Sequence, residues 1–100
     1  MQEPIEVLKA RLNMETAKIG WTEIQRYFAK GQVFIVAPEL DLIDTAARMI
    51  QDEKGSVEKW LDQRLILQAT TEDAKRWHES DPDLWAVVVA PWILVQEAAG

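Results

Sequence analysis

The longest apolar run of this 100-residue chain constrains its fold more than any other feature. The run covers the 12 residues from position 84 to position 95, and Pro91 is its only imino acid. Fully extended, it would reach roughly 40 Å at about 3.3 Å per residue, whereas a compact domain of this length has a radius of gyration of about 13 Å. The run therefore cannot form one straight strand inside a single domain.

Pro91 leaves two solutions open. Either the chain turns there and forms two strands, over residues 85–90 and 92–96, or the end of the run pairs with another chain. Because proline has no amide donor, it also predicts an edge strand or a bulge, and a long apolar edge needs cover. We therefore predict a homodimer or a protein partner at this segment. The interface residues of this hypothesis are Trp85, Pro91, Trp92 and Leu94.

Helical periodicity and turn signals predict the other elements. Apolar spacing predicts helices over residues 4–19, 21–30, 39–54, 56–64 and 70–80, and runs rich in β-branched residues predict strands over 33–37 and 65–67. The predicted fold is one α+β domain over residues 1–100, mostly helical, with a short and mainly antiparallel sheet. Its order resembles a winged helix-turn-helix with an extra N-terminal helix and a helix in the wing.

Three acidic residues mark the start of the predicted helix at 39–54. Glu39, Asp41 and Asp44 offer oxygen ligands of the kind that Mg²⁺ accepts, but the helix dipole explains acids at this position equally well. We assign no metal, cofactor or catalytic residue to this weak polar cluster. A small-ligand, metal-binding or enzymatic site where it approaches Ala37 and Pro38 is the alternative hypothesis.

Charge argues against nucleic acid as the partner. The formal net charge is -6, and the second half of the chain, which carries -5 of it, repels polyphosphate most strongly. The predicted recognition helix at 56–64, with Ser56 as its cap, presents a charge-balanced outer face. The acidic second half is compatible with a basic protein partner, but a solubilising surface explains it more simply. A winged-helix nucleic-acid binder stays the third hypothesis, behind a protein-interaction module and a ligand-binding or enzymatic domain.

Residue usage disfavours enzyme chemistry. The chain has no cysteine and one histidine, His78, which is predicted to pack beside Trp77. The residues that a Ser-His or Cys-His nucleophilic mechanism requires are therefore nearly absent. Its glycines stand singly, which disfavours a phosphate-binding loop. The start of the chain shows no signal-peptide pattern, and 12 apolar residues are too few to span a bilayer. We predict a cytoplasmic protein-interaction or regulatory module without catalysis.

Four segments carry a resemblance to a known family. They are LNMETA at 12–17, WTEIQRYFA at 21–29, LDLID at 40–44 and WAVVVAPWILVQ at 85–96, the last being the most distinctive. Over about residues 8–97 the chain resembles the bacterial family designated "domain of unknown function two-two-eight-eight". This resemblance implies a bacterial cytoplasmic protein, and it supplies neither an activity nor a functional residue.

Overall fold

The computed structural model describes residues 4–51 and 54–97, and this part of the chain contains five helices and five strands. In chain order they are α1 (Ile5–Glu15), β1 (Ala17–Ile19), α2 (Trp21–Ala29), β2 (Val33–Val36), α3 (Leu42–Ile50), α4 (Lys54–Asp62), β3 (Ile66–Gln68), α5 (Thr71–Ser80), β4 (Leu84–Val89) and β5 (Trp92–Glu97). The α+β class is confirmed.

The strands form one mixed sheet in the order β1-β4-β5-β2-β3. Strand β5 runs parallel to β2, with Phe34 opposite Leu94, while the other neighbouring pairs are antiparallel. The sheet is therefore not purely antiparallel. The predicted winged helix-turn-helix order is not confirmed, and α4, the predicted recognition helix, packs against α3 and β3.

Helices cover both faces of the sheet, because alternate strand residues are apolar on each side. On the α1/α3 face, Leu8 and Leu12 of α1 pack with Ala46 of α3 against Val87 and Leu94 of the sheet. The α2/α5 face has a separate core. It contains Ile24, Val33, Trp77, Leu84, Ala86, Ile93 and Val95. The two cores explain why the strand residues of positions 93–95 are buried in succession.

The apolar run at 84–95 forms the antiparallel hairpin β4–β5, with Ala90 and Pro91 in its turn. The first of the two predicted solutions is therefore confirmed. The expectation of an edge strand is wrong, since β5 is the central strand and Pro91 lies in the turn, where no ladder donor is needed. The sheet edges are β1 and β3, of three residues each.

Tertiary pairing shortens the predicted first helix. The helix ends at Glu15, and the residues 17–19 that were expected to continue it form β1 instead. There Lys18 lies opposite Trp85 of β4. This short segment has no strand pattern of its own, so pairing with the sheet decides its conformation.

Capping decides where the other helices begin. Asp41 caps α3 by accepting a hydrogen bond from the Asp44 amide at 2.8 Å, so the helix starts three residues later than position 39, where it was predicted. Its predicted end includes residues 52–53, which lie outside the described residues. Helix α4 begins at Lys54, and Ser56 therefore lies within the helix instead of capping it. On α5, Trp77 is buried as predicted, but His78 is exposed.

Candidate functional site

The predicted interface residues do not form one surface. Trp85 and Trp92 lie on the same face of the sheet but at opposite ends of the β4–β5 hairpin, because Trp85 pairs with Gln96 and Trp92 pairs with Val89. Their exposed fractions are nearly equal, at 39% and 40%. Pro91 is exposed beside Trp92, whereas Leu94 is fully buried and offers no surface to a partner.

Trp92 already has a neighbour within the chain. Its ring meets Phe34 edge to face, with the ring centroids 6.4 Å apart and the planes at 86°. This geometry is a favoured one for aromatic pairs. Together with the neighbouring Pro91 it forms an apolar tip at the hairpin turn, whereas the exposed Val88 lies on the opposite face of the sheet because it pairs with Ile93.

Trp85 lines a cleft at the other end of the hairpin. The cleft opens between the C-terminal end of α1 and the N-terminal end of α3 and has a volume of about 370 Å³. We call it the Trp85 cleft, and its lining residues are Asn13, Thr16, Leu40, Asp41, Leu42, Ile43, Trp85 and Gln96. This volume falls within the roughly 300–1,000 Å³ of small-molecule sites. Two residues predicted separately, Trp85 and Asp41, come together here.

The members of the acidic cluster have different roles. Asp44 binds Lys9 of α1 at 2.8 Å and Arg48 at 2.9 Å, so it ties α1 to α3. The hydrogen bond from Lys9, opposed by partial burial and supported by Arg48, lowers the pKa of Asp44 below its ordinary value of 3.8. Asp41 lines the cleft, while Glu39 is exposed and lies outside its lining. Of the three acidic residues, only Asp41 lines the cleft, Asp44 joins α1 to α3, and Glu39 does neither.

Gln96 is the residue that the sequence did not suggest. Its side-chain amide donates to the carbonyl oxygens of Ala37 at 2.9 Å and Leu40 at 2.8 Å. These two bonds hold the loop between β2 and α3 against β5, and thereby place one wall of the Trp85 cleft. The available signal was a glutamine directly after the apolar residues 92–95 of one strand, because a half-buried amide needs hydrogen-bond partners.

Lys18 lies beside the exposed ring of Trp85. Its Nζ is 5.1 Å from the centroid of the Trp85 ring, within the range of a cation–π interaction. The contact follows from the sheet register, which sets Lys18 of β1 directly opposite Trp85 of β4. The indole therefore already accepts a cation from within the chain.

A second, larger cleft lies at the C-terminal end of β2. It measures about 650 Å³, and its lining includes the apolar residues Ile35 and Leu67, the arginines Arg64 and Arg76, and the acidic residues Asp73 and Glu97. Arg76 donates to Glu97 at 2.6 Å, whereas the guanidinium of Arg64 has no ion pair among the described residues. We call it the arginine cleft; it touches Ala37 and Pro38, but its lining contains no member of the acidic cluster with which the alternative hypothesis combined them.

Within residues 4–51 and 54–97, no group of three or more histidine, cysteine, aspartate or glutamate side chains is arranged to hold a metal ion. None of the helices in the same residues combines the length and apolar character that crossing a bilayer demands.

Comparisons with known proteins identify relatives but no activity. Residues 7–97 match the model of the family described as "Protein of unknown function (DUF2288)". The solution NMR structure of PA1075 from Pseudomonas aeruginosa is similar to this chain, with 41% sequence identity and a TM-score of 0.80. That similarity covers 100% of this chain and 93% of the other. No curated protein matches the chain.

Proposed function

Because the chain belongs to the DUF2288 family of proteins of unknown function, we propose a function from its surface: a non-catalytic, single-domain protein-interaction module of the bacterial cytoplasm. Its Trp85 cleft holds a segment of a partner protein. The observation that carries this proposal is a half-exposed tryptophan in a cleft whose other walls are two helix ends. Tryptophans at the centre of such depressions are frequent hot spots of protein interfaces.

The chemistry of the cleft favours a side chain as its occupant. Leu40 and Ile43 supply apolar walls, while Asn13, Thr16 and Gln96 supply polar groups. Specific recognition sites commonly combine an apolar lining with a few polar groups that orient the bound molecule. At about 370 Å³ the cleft is near the lower end of ligand-site volumes, which suits an inserted side chain better than a whole cofactor.

A matched pair of variants tests this proposal. Trp85→Ala and Trp92→Ala remove equally exposed tryptophans from the same sheet face, at opposite ends of the hairpin. Proteins captured from the native cell by the wild-type domain are identified, purified and titrated against the labelled domain by NMR. We expect amide shifts around the Trp85 cleft and an affinity loss of at least about tenfold for Trp85→Ala only. Shifts that map elsewhere, or unchanged binding by Trp85→Ala, contradict the proposal.

Homodimerisation through the hairpin tip is a separate prediction. The exposed Pro91 and Trp92 favour it, since neighbouring exposed apolar residues commonly mark contacts. Light scattering at increasing concentration measures the mass. A dimer that Trp92→Ala dissociates supports self-association, and a constant mass near 11.5 kDa contradicts it.

A small anionic ligand in the arginine cleft is the second candidate function. It is favoured by Arg64, which lines the cleft together with the apolar Ile35 and Leu67 and whose guanidinium has no ion pair within the described part of the chain. An arginine binds a carboxylate through two parallel hydrogen bonds. A thermal-shift screen of apolar carboxylates tests it, with Arg64→Gln as the variant that must lose the stabilisation. Ligands that stabilise both proteins equally, or none at all, contradict it.

A further inference from the structure

We propose that the partner inserts a cationic side chain, lysine or arginine, between the Trp85 indole and the Asp41 carboxylate. This inference rests on the proposed function and names the chemistry that the Trp85 cleft recognises. Three independent features of the structure support it: a cation already placed on the ring, the sign of the charge in the lining, and the charge of the whole chain.

The first feature is the contact that Lys18 makes. A lysine ammonium 5.1 Å from the ring centroid shows that the electron-rich face of the Trp85 indole is accessible to a cation. Because both residues are exposed, the contact is weak, and a cation from a partner competes with it on similar terms. Lys18 thus acts as an internal competitor for the same ring.

The second feature is the charge of the lining. Among the described residues that line the cleft, Asp41 carries the only formal charge, and it is negative. One of its oxygens, Oδ1, accepts the cap hydrogen bond from the Asp44 amide, and Oδ2 has no hydrogen-bond partner among the described residues. Asp44 does not compete for a cation, since Lys9 and Arg48 already neutralise it.

The third feature acts at longer range. The chain has a formal net charge of -6, so its field attracts basic segments and repels acidic ones before contact. A tryptophan face, a free carboxylate oxygen and a negative field together select a positively charged group. An anionic or neutral side chain is attracted by at most one of the three, namely by contact with the indole ring.

Three pentapeptides with blocked ends provide defined probes. Each has two glycines on either side of a central arginine, norleucine or glutamate, and each is titrated into the full chain while the Trp85 indole N–H signal is followed by NMR. We expect the arginine peptide to bind at least about tenfold more tightly than the norleucine peptide, because a cation–π contact and a carboxylate contact add for arginine only. The glutamate peptide is expected to cause no shift.

Two charge variants separate recognition from folding. Asp41→Asn removes the negative charge and keeps the cap, since asparagine caps helices as well as aspartate does, and it is expected to weaken arginine-peptide binding by roughly threefold to tenfold. Lys18→Gln removes the internal competitor and is expected to strengthen binding by about twofold. A merely structural role of either residue would change stability and leave the arginine preference unchanged.

The outcomes test the preference for a cation separately from the proposed function, which is the binding of a partner protein at the Trp85 cleft. Equal affinity for the arginine and norleucine peptides, an Asp41→Asn variant that binds like the wild type, or no binding of the arginine peptide at millimolar concentration each overturns the cationic preference. The proposed function is decided separately, by whether a natural partner maps to the Trp85 cleft and depends on Trp85. A neutral segment bound there would leave the function standing and this inference wrong.

Discussion

The two faces of the sheet differ in how deeply their tryptophan side chains are buried. On the α2/α5 face, Trp77 is completely buried, its ring lies 6.3 Å from that of Trp21, and its indole N–H donates to Glu97 at 3.4 Å. On the α1/α3 face, Trp85 and Trp92 each keep about two-fifths of their surface exposed. Aliphatic residues form the core between them.

The difference shows where this fold exposes tryptophan side chains to other molecules. Helices α1 and α3 cover the middle of their face and leave both ends of the β4–β5 hairpin open. Rings such as Trp21, Phe28 and Trp77 fill the gap between helix and sheet on the other face. The buried tryptophan of the α2/α5 face therefore contributes stability, whereas the α1/α3 face offers two partly exposed tryptophans to other molecules.

Trp77→Ala against Trp85→Ala tests this contrast most directly. Removing the buried indole leaves a cavity in the core, while Glu97 keeps its bond from Arg76, and should lower the free energy of unfolding by about 3–5 kcal/mol. Removing the exposed ring should cost about 1 kcal/mol or less. Urea denaturation followed by circular dichroism measures both. Similar losses for the two variants would show that Trp85 belongs to the core.

Gln96→Leu tests whether Gln96 holds the loop between β2 and α3 against β5. The variant removes the Gln96 amide donor from the Ala37 and Leu40 carbonyl oxygens, of which the first keeps the bond from the Leu40 backbone amide, and we expect a loss of about 1–3 kcal/mol in the free energy of unfolding. The control is Gln68→Leu, which removes one exposed bond to the Gly31 carbonyl and should cost about 0.5–1.5 kcal/mol at most. Hydrogen exchange should accelerate at the start of α3 in the first variant alone. Equal losses would refute the bridging role of Gln96.

The ion pair between α1 and α3 predicts the smallest effect. The folded pKa of Asp44 is lowered, so its carboxylate stabilises the fold at pH above its ordinary value of 3.8, and this stability is lost as pH falls through the folded pKa. The free energy of unfolding of the wild type should exceed that of Asp44→Asn by about 0.2–1 kcal/mol above about pH 5.

The difference should shrink below about pH 4, where the wild-type carboxylate becomes protonated. Lys9→Met removes the partner in α1 and should reduce the pH dependence, whereas Glu15→Gln, which breaks a pair within α1, should not. A difference that is independent of pH would exclude the carboxylate charge as its cause.

Local pattern predicted much of the fold. Helix α5 lies within the predicted helix at 70–80 and begins after Thr70, which forms a capping box with Asp73, and β2 lies within the predicted strand at 33–37. Strand β1 escaped prediction because three residues carry no period and take their conformation from β4. The winged-helix order is not confirmed, since element order along the chain does not specify which strands become neighbours.

The candidate site was predicted in parts. Asp41 and Trp85 were singled out for different reasons, one as a helix-start acid and one as an interface residue, and nothing in their spacing of 44 positions indicated that they share a cleft. Gln96 was not singled out, because its partners are carbonyl oxygens 59 and 56 positions earlier in the chain.

The sequence by itself determined the class of fold, most helices, and the need for a turn near Pro91, because helix periodicity, caps and turn residues act over a few neighbouring positions. Only the tertiary structure decided that β5 is central and parallel to β2, and that Trp77 is buried while Trp85 is open. These outcomes depend on which distant segments pack together. A tryptophan is equally apolar wherever it occurs, and its exposure follows from the helices that cover it.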